Sequence, residues 1–144
     1  MPEIPHITHG PNKYLPFQTT KDVLEFLSSP SAKKLNLPNM EPAKEVSFDE
    51  TNADHKRLDQ NRIAPAILSS SGNGLFHYNE DRLLTVREIA SIQNFPLRYE
   101  IFGTRREQIQ QVANAVPIEF SRAIARSVRQ SLRNLYDYEI ESNI

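Results

Sequence analysis

The sequence predicts an α+β chain: a small lobe of short strands and loops, followed by C-terminal helices. Three observations carry this. Two short apolar runs, at 62–68 and 75–78, flank a Ser/Gly/Asn-rich turn, which is the pattern of a hairpin. Thr85 and Glu88 stand three apart ahead of Val86, Ile89, Ala90 and Ile92, the spacing of a capping box that opens a helix. Val116, Phe120, Ile124, Val128, Leu132 and Leu135 then recur at helical spacing, an apolar stripe on one long helix.

The elements follow in order. Residues 1–18 are rich in proline, glycine and histidine and read as an extended loop. Asp22 to Ser28 reads as a short helix, with Val23, Leu24, Phe26 and Leu27 on one side and Pro30 as its stop. Pro30, Pro38, Pro42 and an acidic stretch make 30–54 a variable loop region. Arg62 to Leu68 predicts a strand with Pro65 at an edge or bulge. Ser69 to Gly74 is the turn, and Leu75 to Tyr78 the second strand. The capped helix runs to about Gln93 and ends at Phe95-Pro96. A loop through Gly103 leads to a last helix from about Pro117 to Leu135, proline suiting a first helical position. On that helix Arg122, Arg126, Arg129 and Arg133 form a second stripe nearly opposite the apolar one, read as a solvated face.

Bulk properties narrow the function. At 144 residues and 38% hydrophobic, with a mean hydropathy of -0.55, the chain can bury one modest core, or two lobes that lean on something else. No apolar run approaches the roughly 20 residues that span a bilayer. The N-terminus lacks the basic and apolar regions of a signal peptide. There is no cysteine, which excludes disulfides and thiolate metal sites. A cytoplasmic protein is expected. The net charge of -1 excludes a polycation that coats DNA indiscriminately. Charge is nonetheless unevenly typed: residues 81–144 carry nine arginines and no lysine. His6, His9, His55 and His77 show no ligand spacing, and no serine-nucleophile motif or phosphate-binding loop is visible.

Two blocks carry more specific information: Arg82-Leu-Leu-Thr-Val-Arg-Glu-Ile-Ala-Ser-Ile-Gln-Asn-Phe-Pro96 and Gln111-Val-Ala-Asn-Ala-Val-Pro117. In order and spacing they resemble motifs IX and X of the DNA cytosine-5 methyltransferases. Arg82, Leu84, Thr85, Arg87, Glu88, Ala90, Gln93, Phe95 and Pro96 match the first, and Gln111, Asn114, Ala115, Val116 and Pro117 the second. Tyr99, Phe102 and Gly103 match the segment between them, and the Thr8-His-Gly10 stretch resembles the one after motif VIII. The chain departs from the family at Ala113, where a glycine is usual. Everything of the family's front half is absent: the Phe-x-Gly-x-Gly donor loop, the Pro-Cys nucleophile, Glu-Asn-Val and Gln-x-Arg-x-Arg. The chain opens on Met1, which fits a natural start.

The resemblance implies the small (beta) subunit of a split, AquI-type modification methyltransferase. Residues 1–80 would form the target-recognition region. Residues 81–144 would supply motif IX and motif X helices that complete the α/β methyltransferase domain of a large subunit carrying motifs I–VIII. It implies S-adenosylmethionine bound jointly with that partner, through Asn114, Ala115 and Val116. Without the resemblance, Asn114 reads as an N-cap of the last helix. Thr85, Arg87, Glu88 and Gln93 would be architectural. Lys56, Arg57, Arg62, Ser70, Ser71, Asn73 and Arg82 are the candidate contacts to double-stranded DNA, since arginine pairs with guanine, asparagine with adenine, and all can reach phosphates. No catalytic residue and no metal are expected in this chain. The implied setting is a restriction–modification system, with activity only in the heterodimer. A stand-alone DNA-binding module and an inactive truncated remnant are the alternatives.

Overall fold

The structure, a computed structural model, describes residues 19–41, 46–68 and 74–142. The architecture is α+β, a two-stranded sheet flanked by helices on both sides in sequence. The N-terminal loop, the Thr8-His-Gly10 stretch and Ser70, Ser71 and Asn73 lie outside the described residues.

Helix α1 (Thr20–Ser28) starts where Thr19 accepts from the amide of Asp22 while the Asp22 carboxylate takes the Thr19 amide, a reciprocal cap. It buries Thr20, Val23, Leu24 and Leu27. Pro30 does end it, and also opens the short α2 (Pro30–Lys33), with Ser29 as N-cap; a proline at the first helical position forfeits no hydrogen bond.

The expected hairpin between 62–68 and 75–78 is not formed. Strand β2 (Leu75–Phe76) pairs instead with β1 (Lys56–Arg57), in parallel, Lys56 opposite Leu75 and Arg57 opposite Phe76. An isolated antiparallel bridge joins Phe76 to Leu83. Two physical reasons account for this. Pro65 has no N–H to give a ladder, and the Arg62 carbonyl is already taken by the Thr20 amide at 3.1 Å and its hydroxyl at 3.0 Å. At the other end, Gly74 lets the two chains meet: a Cβ there would lie 1.9 Å from the Asp54 carbonyl oxygen.

Helix α3 (Val86–Ile92) has the predicted box, Thr85 and Glu88 each accepting from the other's amide. Its C-terminus closes in a Schellman motif, with Asn94 N–H to Ser91 O at 3.0 Å and Phe95 N–H to Ala90 O at 2.9 Å. Asn94 sits in the left-handed region, at φ 62°. There a Cβ without a compensating polar side chain costs about 1 kcal/mol. Asn94→Ala should lower stability by that order and Asn94→Gly should preserve or raise it, as read from urea midpoints.

Helix α4 (Arg105–Asn114) was not foreseen. Its signal was present, since Thr104 and Glu107 make the same reciprocal cap as Thr85 and Glu88. Only Ile109 and Val112 of its residues are buried, and seven of its ten side chains are polar, which masks the apolar period. The core packs around α3, with Leu24, Leu58, Leu75, Leu84, Ile89, Ile109 and Val112 among its members, and a second cluster joins Val23, Leu27, Leu37 and Leu97. The final helix, α5 (Ile118–Ser142), runs past the expected end at Leu135. Among the described residues it makes at most slight contact with any other element. Phe120, Ile124, Val128, Leu132 and Leu135 stay 48–62% exposed.

Candidate functional site

Arg87 lies at the centre of the lobe, fully buried. Its Nε donates to Pro38 O at 3.0 Å, Nη1 to Pro96 O at 3.1 Å, and Nη2 to Asn39 Oδ1 at 3.4 Å and to the Tyr99 carbonyl. Burial pushes its pKa down to about 10, so it remains protonated at neutral pH. Five donors in a planar fork suit this task, and lysine could not repeat it. Asn39, at φ 60°, completes the knot: its Oδ1 accepts from Ile101 N at 3.0 Å and its Nδ2 donates to Ile101 O at 2.9 Å. The loop after α2 and the loop after α3 are thus tied through one guanidinium and one carboxamide. Asn39 carries no motif signal in the sequence.

Arg82 and Glu88 form a two-toothed ion pair, both bonds 2.9 Å. Burial alone would lower the Arg82 pKa, but the bonds to Glu88, with help from Glu80, raise it on balance. Glu88 Oε2 also takes the Thr85 amide at 2.7 Å. One carboxylate therefore caps α3 and fixes the chain entering it. Arg105, another residue the sequence did not single out, reaches back to Leu84 O at 2.6 Å.

Gln93 joins the two motifs. Its Nε2 donates to Ala115 O at 3.0 Å and to Val112 O at 3.4 Å, holding the end of α4 against the end of α3. Asn114 is the last residue of α4, so it is not the N-cap of α5. The reason is the unforeseen helix itself, which carries Asn114 in its final turn, with Ala115 extended as the C-cap. Asn114 is exposed and its carboxamide bonds to no described residue. Ala113 is helical and packs against the core. No positive φ is needed there, so alanine is at no conformational disadvantage to glycine.

The described candidates for DNA contact divide. Lys56 and Arg62 are exposed, Arg62 beside Asp59 at 3.6 Å. Arg57 turns inward: Nη1 donates to the carbonyls of His77 and Glu80, each at 3.0 Å, Nη2 pairs with Asp81, and the guanidinium stacks over Phe48 at 4.4 Å. Arg82 is engaged as above.

His77 is nearly buried, stacked on Tyr78, with Nδ1 accepting from the Asn79 amide at 3.4 Å. Burial, and then Arg82, hold its pKa below the ordinary histidine value, against smaller opposing pulls from Glu80 and Glu88. A histidine kept neutral by the fold stabilises it above the unfolded pKa, and that contribution is lost as pH falls below about 6.5. The urea midpoint should therefore drop from pH 7 to pH 5.5, and His77→Gln should flatten that slope.

The chain belongs to the C-5 cytosine-specific DNA methylase family, which matches residues 12–130. It is 38% identical over 94 residues to the Type II methyltransferase M.AquIB of Picosynechococcus sp., covering 58% of this chain and 68% of that protein. The Type II methyltransferase M1.HphI of Haemophilus parahaemolyticus is 48% identical over 54 residues, 38% of this chain and 14% of that protein. The Type II methylase M.HgiDII of Herpetosiphon aurantiacus is 33% identical over 89 residues, 56% of this chain and 25% of that protein. The chain thus spans about two thirds of the first relative and a quarter or less of the other two. No solved structure gives a significant match. With no cysteine in its sequence, the chain cannot itself supply a thiolate nucleophile. Among the described residues, no helix is long and apolar enough to cross a membrane.

Proposed function

We propose that this chain is the small subunit of a two-chain DNA (cytosine-5-)-methyltransferase of the AquI type, cytoplasmic and part of a restriction–modification system. The observation that carries the reading is α5, whose apolar stripe lies uncovered in a chain that belongs to the methylase family and has no cysteine. A helix with five large apolar residues about half exposed needs a second surface, and a large subunit carrying motifs I–VIII supplies it. The relative M.AquIB supports this: 94 aligned residues make up 68% of it, so it too is a short chain.

In the complex, the partner's cysteine attacks a cytosine flipped from the duplex. S-adenosylmethionine, when bound, supplies the methyl group. Asn114, Ala115 and Val116 fit the edge of its pocket, since the Asn114 carboxamide is exposed and free to bond. Gln93 holds that segment by its main chain. Lys56 and Arg62, with Ser70, Ser71 and Asn73, are the DNA contacts this reading favours. Arg57 and Arg82 would act by shaping the recognition lobe. A tagged chain recovered from its native cell should bring down a protein with Phe-x-Gly-x-Gly and Pro-Cys sequences, identified by mass spectrometry. A chain that comes down alone and binds DNA as a monomer would instead be the stand-alone module.

A further inference from the structure

Ile63 is 80% exposed, the most exposed large apolar side chain among the described residues. Gln60, Asn61 and Arg62, which precede it, are exposed as well. Their main chain is nonetheless pinned. The Arg62 carbonyl accepts from the Thr20 amide at 3.1 Å and the Thr20 hydroxyl at 3.0 Å, and the Gln60 carbonyl accepts from the Lys21 amide at 3.4 Å. Those two amides open α1 and have no partner inside the helix. Asp59 closes the turn, its Oδ1 taking the Asn61 amide at 2.9 Å and its carbonyl the Arg62 amide at 3.3 Å. The carboxamides of Gln60 and Asn61 bond to no described residue. Four consecutive side chains are thus held out in solvent on a main chain that α1 and Asp59 fix in place.

We propose that this turn enters the DNA and that Ile63 is its wedge, set between stacked bases beside the target cytosine so that the base leaves the duplex more easily. The inference rests on the two-chain reading above. The chemistry of the turn points to DNA. Asparagine and glutamine are the side chains that bond adenine edges, and arginine bonds those of guanine. Isoleucine is among the apolar residues that part base steps. The core of a protein interface would surround Ile63 with apolar neighbours, whereas the three residues before it are polar. A wedge also needs a firm footing, because a base stack resists parting and would displace a loose loop. The bonds from α1 give it that footing. Gln60 and Asn61 join Arg62 as contacts to base edges.

The test is methyl transfer by the two mixed chains, with the methylated site first mapped using the unaltered pair. Two duplexes are then compared. One pairs the target cytosine with guanine. The other sets it opposite an abasic site, where less unstacking and unpairing is needed. Ile63→Ala should lower kcat/KM by about tenfold or more on the paired duplex and by less than about threefold on the abasic one. Ile63→Leu should restore most of the paired rate. An equal loss on both duplexes, or no loss on either, would overturn the wedge and leave the two-chain reading intact. So would a loss of affinity for the large subunit of about tenfold in the absence of DNA, which would put Ile63 in the subunit interface. No transfer even by the unaltered pair would defeat both.

Discussion

Arg87→Ala should destabilise the lobe by about 3 kcal/mol or more, enough to leave much of a chain this small unfolded at 37 °C. The side chain is fully buried and serves three main-chain carbonyls and the Asn39 carboxamide. Truncation leaves those acceptors in a dry interior with nothing to replace the donors. Arg87→Lys should recover little, because a point charge with a flexible stem cannot reach the carbonyls of Pro38, Pro96 and Tyr99 together. Urea unfolding followed by circular dichroism reads both. Asn39→Ala should reproduce part of the loss, since it removes two bonds to Ile101 and one from Arg87.

The second large effect lies on α5. Val128→Glu with Leu132→Glu should abolish association with the large subunit, weakening it by a factor of about 100 or more, as expected for charges forced into an apolar interface core. The same pair should hardly alter the stability of the isolated chain, because the two side chains are 53% and 60% exposed in it. Surface plasmon resonance gives the first quantity and thermal unfolding the second. A matched pair on the opposite stripe, Arg126→Gln with Arg133→Gln, should leave association within a few-fold if that face remains in water.

The contrast between these predictions shows where the sequence was readable. The three reciprocal caps at Thr19, Thr85 and Thr104 are local, within three residues, and each is written as a hydroxyl followed by an acid. The α5 stripe is equally local. The Arg87 knot is not: its partners at 38–39 and 96–99 are joined by main-chain carbonyls, which every residue has, so no side-chain pattern announces them. The strand pairing failed for the same reason. Leu75 and Phe76 could pair with any extended segment, and the choice of Lys56 and Arg57 was made by the space at Gly74 and by the engagement of Arg62 with Thr20. Helix α4 was hidden by its composition, because a helix that buries only Ile109 and Val112 on the lobe shows little apolar period. The motif resemblance pointed to Asn114, Arg87 and Glu88 without locating them. The structure then placed Asn114 at the end of α4 and brought Gln93 to the main chain beside it.

The central claim is that this chain completes a methyltransferase that it cannot be alone. Transfer of a labelled methyl group from S-adenosylmethionine to cytosine C5 in duplex DNA should be measured with each chain separately and with the two mixed. The account predicts incorporation only in the mixture. Equal incorporation by the large chain alone would contradict it.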